Sequence, residues 1–308
     1  MARVIHTGQA LVDEVVEIPA LPWRGDNSMA TSHARYAGGA TNILVASART
    51  GAESVHAGAH GTGPNGDLIR QVMAQEQITL SAPPITDSDT GICFVMVEPS
   101  AERTFVTTLG AERQISVESL ATSAPQPGDL VNVTGYSLAV ASTRRPLLDW
   151  LETLPEGVHV VLDPGAAFSA LPVPVRTRML ALTTVWTSNA DEAHQMTMLR
   201  DMAEAAEACS HFLPEGAVSL VRDGSEGCAV HLDGTTHRVP GFPQKPVDTN
   251  GAGDCHTGVL CAEYALSGDW VESSRRANAA AALKVTRRGP ATAPTRAEVD
   301  DFLAGWGK

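Results

Sequence analysis

The chain of 308 residues is predicted to fold as an α/β protein with a mainly parallel central sheet and a small antiparallel lid. Three observations carry this prediction. Short β-branched runs alternate with longer stretches of helical period over most of the sequence. Two segments, 10–37 and 89–109, break the alternation and read as extended, period-two stretches. After Gly258 the pattern is helical almost to the end.

Taken in order, buried strands are expected at 3–7, 54–57, 130–133, 158–162, 184–187 and 217–221. Each is a short apolar run, as a strand covered on both faces should be. Helices are expected at 41–50, 66–75, 144–154 and 175–182, with one more from 190 to about 211. In the second lid segment, TGICFVMVEPSAERTFVTTLG reads as two strands joined by the turn PSAER. Neither lid segment has enough apolar residues to fold alone, so the lid is an excursion from one body spanning residues 1–308. Three C-terminal helices follow, the last opened by Thr295 with Glu298 three residues on, the pattern of a capping box.

A hydrophobic content of 43% with 19% charged residues describes a chain that buries a substantial core. The net charge of -13 argues against nucleic acid as a main partner, because phosphate contacts need clustered Lys and Arg. Nowhere do eighteen apolar residues run without a charge, so no membrane span is expected. The N-terminal apolar run carries carboxylates, which is wrong for a signal peptide. Cys93, Cys209, Cys228, Cys255 and Cys261 form no zinc-ligand spacing and fit a reducing, cytoplasmic compartment.

The stretch PVDTNGAGDCHTG, 246–258, places a glycine-rich loop and a carboxylate where a helix begins. Gly251, Ala252 and Gly253 can offer free N–H groups beside the positive end of the helix dipole, which makes an anion site. Asp254 at its mouth would repel a phosphate unless an alcohol lies between them. A carboxylate there can take the proton of the attacking alcohol while the amides stabilise the transferring group. The plainer reading is a turn followed by an Asp N-cap.

The string DTNGAGD, followed by a small-residue helix, resembles the C-terminal signature of the ribokinase or PfkB family of carbohydrate and nucleoside kinases. YAGGATNILVASARTGA, 36–52, is similar to its companion signature, about 200 residues away in the family's order. The resemblance extends along essentially the whole chain, and it implies a ribokinase-like three-layer α/β/α body. It also implies ATP-dependent transfer to the hydroxymethyl oxygen of a small sugar or sugar derivative, with Mg2+ and possibly K+. Asp254 would be the general base and Gly251, Ala252 and Gly253 the anion hole. Asp13 in GQALVD would hold the sugar together with Gly38, Gly39 and Asn42. Asn189 and Glu192 in SNADE would lie near the nucleotide, Glu192 organising Mg2+ through water. Arg222, Gly224 and Gly227 fall in a nucleotide-binding turn and Asn278 beside the adenine. Asp248, Asn250, Lys284, Arg287 and Gly289 resemble a monovalent-cation site, contributing mainly carbonyls.

Each position also has a structural reading. Asn189 and Glu192 can cap a helix, Asn42 likewise, and DGSEG can be a hairpin turn. The GGATN loop is one residue shorter than the usual spacing, which bears on the sugar contacts. His256 reads as packing, and Cys255 and Cys261 as small core residues. Trp23, Tyr36, Phe94 and Phe105 could stack a nucleobase, which would make the chain a nucleoside kinase, or could be the lid's own core. A sensor that keeps the fold without the chemistry is a third reading, and no GxGxxG supports an oxidoreductase. A homodimer through the outer face of the lid would cover its edges.

Overall fold

A computed structural model describes residues 2–100 and 102–306. The chain opens with β1 (Val4–His6), passes into β2 (Ala10–Glu17) and β3 (Ser32–Gly39), and turns into α1 (Ala40–Thr50). Next come β4 (Ser54–His56), α2 (Pro64–Gln75), β5 (Thr79–Leu80), β6 (Ile92–Val97) and β7 (Arg103–Thr107). Two short helices, α3 (Val117–Ala121) and α4 (Gly135–Ala139), flank β8 (Leu130–Thr134). The next segments are α5 (Ala141–Leu151), β9 (His159–Asp163), α6 (Val173–Leu182), β10 (Val185–Asn189), α7 (Ala190–Thr197) and α8 (Met202–Ser210). The chain ends with β11 (Val218–Arg222), β12 (Gly227–Leu232), β13 (Thr235–Pro240), α9 (Ala252–Ser267), α10 (Trp270–Lys284) and α11 (Arg296–Gly305).

Nine strands form the main sheet in the order β13-β12-β11-β10-β9-β8-β1-β4-β5. From β11 to β5 every pairing is parallel, and β12 and β13 add an antiparallel edge. Alternate residues of one strand enter different cores. Ile5, Val131, Val160 and Leu162 pack with α5, α6 and α8 on one face. Val4, Leu130, Val161 and Val185 pack with α9, α10 and α11 on the other. This is the three-layer arrangement, and each predicted strand falls inside it. All five cysteines are unpaired and buried, and burial pushes the Cys255 and Cys261 thiols up to about 12, so they serve as small core residues.

A second sheet, ordered β3-β2-β6-β7, joins the two segments that break the alternation. Its two hairpin-like pairs are antiparallel, but β2 and β6 meet in parallel at its centre. Its base is fixed to the body because Ala10, Val12 and Ala37 pack with Leu44 of α1 and Ile69 and Met73 of α2. Its own apolar cluster is Leu11, Cys93 and Val95, not the aromatic residues.

Of four further details, two depart from the expected elements and two agree with them. The helix expected from 190 to about 211 is two, because Met198 turns left-handed at φ 63° and Asp201 recaps α8 through the N–H groups of Ala203 and Glu204. The expected DGSEG turn is a hairpin turn, with β11 and β12 pairing antiparallel across a 3-10 turn at Gly224–Glu226. Helix α1 starts at Ala40, one residue early. The Thr295 capping box is present as read, with its Glu298 partner. No described helix is long and apolar enough to cross a membrane.

Candidate active site

In a parallel sheet the C-terminal strand ends gather on one edge, where binding crevices form. Here Asp163 closes β9, Asn189 closes β10 and Arg222 closes β11, and all three line one cleft of about 650 Å3. Glu192, Gly224, Gly227, Ala252, Gly253, Asp254 and Asn278 line the same cleft. Residues separated by about ninety positions in the sequence are thereby brought together. Phe242, Ala281, Ala282 and Val285 supply an apolar wall.

Loop 247–251 enters the cleft under tight constraint. Gly251 has φ 74°, and a Cβ there would lie 2.7 Å from the Pro290 carbonyl, so only glycine fits. It starts α9 without a side-chain cap, leaving the N–H groups of Gly251, Gly253 and Asp254 with no protein acceptor among the described residues. The Ala252 N–H is already used in a 3.2 Å bond to the Thr249 carbonyl. Unpaired amides at the start of a sixteen-residue helix are groups able to bind an anion.

Asp254 projects from the first turn of α9, where its Oδ2 accepts a 2.9 Å hydrogen bond from Asn42 Nδ2. Burial raises its pKa to about 6; the Asn42 bond opposes this, and the Asp163 charge adds to it. The resulting carboxylate is basic enough to accept a proton near neutrality.

Asn42 sits on α1, just after Gly38 and Gly39. Gly39 holds φ 59°, and a Cβ on it would lie 2.3 Å from the Gln9 carbonyl. A Cβ on Gly38 would lie 2.3 Å from Asp13 Oδ2, so Gly38 makes room for that carboxylate. Asp13 is central in β2, between Leu11 and Val15 on one face, and its pKa is raised to about 7 by burial and then by Asp254. Asp13, Gly38, Gly39 and Asn42 do not line the large cleft; Asn42 meets it through its bond to Asp254, whose charge also acts on Asp13. The Asn42 Oδ1 is buried with no partner among the described residues.

Arg222 is engaged on every side. Its guanidinium donates to the Ser188 carbonyl at 3.2 Å, the Gly253 carbonyl at 2.8 Å, Thr257 Oγ1 at 3.2 Å and Asp163 Oδ2 at 3.1 Å. It ties the ends of β9, β10 and β11 to the start of α9. Asn189 and Glu192 form a reciprocal capping box on α7, so the cap reading and the cleft position both hold. Burial and then the Asp163 charge raise the Glu192 pKa. Among the described residues no three His, Cys, Asp or Glu side chains are grouped to hold a metal ion.

Asn278 donates to the carbonyls of Val239 and Pro240, leaving its Oδ1 to accept from His256 Nε2 at 3.0 Å. Burial lowers the His256 pKa to about 3, so the ring is neutral and its Nε2–H donates. This fixes α10 against the sheet edge beside the cleft.

The loop end opposite the nest carries Asp248. Its carboxylate accepts from Arg103 at 2.8 Å, from the Asn250 N–H at 2.9 Å and from the Gly289 N–H at 2.9 Å. Lys284 Nζ donates to the Asp248 carbonyl at 2.9 Å. The Arg287 guanidinium instead pairs with Glu298 at 2.6 Å.

A second opening of about 140 Å3 lies between the inner face of the small sheet and residues 247–250 and 288–290. Val15, Tyr36 and Val95 form its roof, and Glu17, Arg103 and Arg288 its charged rim. Of the four aromatic residues read as a stacking face, Tyr36 alone lines it. Phe105 shares that face but is 55% exposed, Phe94 is on the opposite face, and Trp23 is 84% exposed outside the strands.

Two residues of consequence were not singled out from the sequence. Asp163 is the second residue of LDPGAAF, one position past the strand expected at 158–162, and its meaning lies in Arg222, 59 residues away. Tyr136 also lines the cleft, from a helix too short to leave a periodic signal.

Comparison with known proteins follows the geometry. A family model described as pfkB family carbohydrate kinase matches residues 4–296. An uncharacterized sugar kinase of Escherichia coli K12, YegV, is 33% identical over 96% of this chain and 92% of its own length. The ribokinase of Haemophilus influenzae is 27% identical over 96% of both chains. The solved ribokinase of Giardia lamblia superposes with a TM-score of 0.84 at 23% identity, covering 99% of each chain.

Proposed function

Because the chain belongs to the pfkB family of carbohydrate kinases, phosphotransferases acting on a sugar hydroxyl, we propose a specific division of labour within its cleft. ATP lies in the 650 Å3 cleft, its adenine against Phe242, Ala281, Ala282 and Val285, close to Gly224, Gly227 and Asn278. Its terminal phosphate points at the nest of Gly251, Gly253 and Asp254 N–H groups. The sugar sits under the small sheet, which acts as a lid, held by Asp13, Asn42 and the backbone of Gly38 and Gly39. Its hydroxymethyl oxygen faces Asp254, which takes the proton as the phosphoryl group transfers in line.

The observation that carries this reading is the 2.9 Å bond from Asn42 to Asp254, which joins the sugar-side residues to the phosphoryl-side helix. The free Asn42 Oδ1 offers an acceptor to a sugar hydroxyl. Asp163 and Glu192, two carboxylates in the cleft with room between them, fit a Mg2+ ion that arrives on the nucleotide and is held through water. When bound, that ion would neutralise phosphate charge and orient the terminal group. Asn189 fixes Glu192 for this task through the capping box.

A small sugar fits better than a nucleoside, because of the four aromatic residues that could stack a base only Tyr36 lines an opening under the lid. The exposed Phe94 and Val106, paired across β6 and β7 on the face away from the groove, suit contact with a second copy of the chain. An ADP-release assay across monosaccharides, sugar acids and nucleosides tests the reading. Turnover with a monosaccharide or sugar derivative supports it, and turnover with nucleosides alone overturns the sugar assignment.

A further inference from the structure

Lys284 is fully buried, at 0% exposure, in the last turn of α10 beneath the loop that carries the anion nest. A buried ammonium is costly unless it is paired. Its Nζ donates to the Asp248 carbonyl at 2.9 Å; burial, with the Arg103 charge, pulls its pKa down, and the carboxylates of Asp248 and Asp254 oppose this as counter-charges. The same loop is pinned to α10 by the Val247 and Asp248 N–H groups, both donating to the Val285 carbonyl at 2.7 and 3.0 Å.

A monovalent cation, implied by the family, would have to share these groups, and three of the five residues, Asp248, Lys284 and Gly289, already have donors from within. The Asp248 carboxylate has three donors, one of them the Arg103 guanidinium. The Lys284 carbonyl accepts from the Arg287 N–H at 2.9 Å, and the Gly289 carbonyl from Thr292 Oγ1 at 2.9 Å. Two basic side chains, Lys284 and Arg103, therefore supply the positive charge that such an ion would bring. The residues do not fit a bound potassium ion.

We propose that Lys284 is a built-in cation: its ammonium orders the 247–254 loop, so that the nest forms without any bound monovalent ion. Lys284 is a positioning residue, acting through Asp248 and the loop and touching neither sugar nor phosphate. Only the kinetic readout below depends on the phosphoryl-transfer reading. Melting and nucleotide binding report on the loop even if the sugar assignment fails.

The test uses the full chain dialysed into tetramethylammonium buffer, then titrated with potassium or ammonium chloride. Melting temperature, affinity for the magnesium complex of a non-hydrolysable ATP analogue, and turnover with the best sugar are read for the wild type and Lys284→Met. The wild type is expected to change less than about twofold in affinity and turnover, without a melting shift specific to potassium. Lys284→Met is expected to lose roughly tenfold or more of turnover, the scale of a misplaced catalytic loop, and to regain part of it with potassium or ammonium. Potassium activation of the wild type by tenfold, with a rise in melting temperature, would overturn the proposal. So would a folded Lys284→Met that keeps full turnover, or one that neither ion rescues. If that variant does not fold, the wild-type titration alone decides.

Discussion

The 650 Å3 cleft and the 140 Å3 groove flank the same loop, around residues 246–252, but draw on different parts of the fold. The cleft is made from the ends of β9, β10 and β11, strands locked in parallel register inside the main sheet, and from the starts of α7 and α9. Arg222 bonds four of these segments to one another. The groove is roofed by a four-stranded sheet with two open edges, whose outlying side chains at Trp23, Phe105 and Leu109 are more than half exposed. The two regions also differ in how the lid meets the loop: Arg103 crosses from β7 to Asp248, and Arg288 reaches Glu17 of β2 at 3.4 Å. On the proposed reading, the phosphoryl chemistry rests on the body and the choice of sugar on the lid.

Changes on the body should therefore damage turnover, and changes on the lid should alter selection or assembly. Arg222→Met, which frees α9 and leaves Asp163 unpaired, should lower turnover about a hundredfold, with roughly 2 kcal/mol lost in urea unfolding. Steady-state kinetics on the folded variant check the first figure. Asn42→Ala removes a hydrogen bond that holds the Asp254 pKa down, so the acid limb of the pH–rate profile should move upward by about one unit. Activity should fall about fivefold at pH 6 and less at pH 8, because the base is protonated over more of the range.

Asp13→Asn sharpens the contrast in stability. The Asp13 pKa is raised to about 7 in the fold against 3.8 in the unfolded chain, so the folded state binds more protons between those values. Stability falls as pH rises through that window, and the penalty is complete above it. The variant should melt higher than wild type at pH 8, by roughly 1–3 kcal/mol of stability, and about the same at pH 4, while the KM for sugar rises. Phe94→Glu, the mildest change, should weaken self-association measured by light scattering while altering turnover less than about threefold.

Much of the body was legible because strands covered on both faces leave apolar runs that helical segments interrupt. The glycine turn into α9 was legible too, since glycines and a carboxylate at a helix start are adjacent in sequence. Gly251 shows why the residue type was constrained: both its φ of 74° and the nearby Pro290 carbonyl exclude a side chain. Contacts made only by folding were not legible. Asp163 looked like a strand terminus, and Lys284 like a carbonyl donor, until Arg222 and Asp248 came within reach of their side chains. The break at Met198 was hidden because a continuous helical pattern runs across it, although Asp201 is the cap that restarts α8. The parallel β2–β6 pairing was hidden for the same reason, since period-two segments state a face and not a neighbour.

The most direct test of the central claim is turnover by Asp254→Asn at saturating ATP and sugar, with nucleotide affinity measured on the same preparation. Loss of turnover by about a hundredfold to ten-thousandfold, the scale of a missing general base, with nucleotide affinity nearly unchanged, is the predicted result. Wild-type turnover in that variant would contradict it.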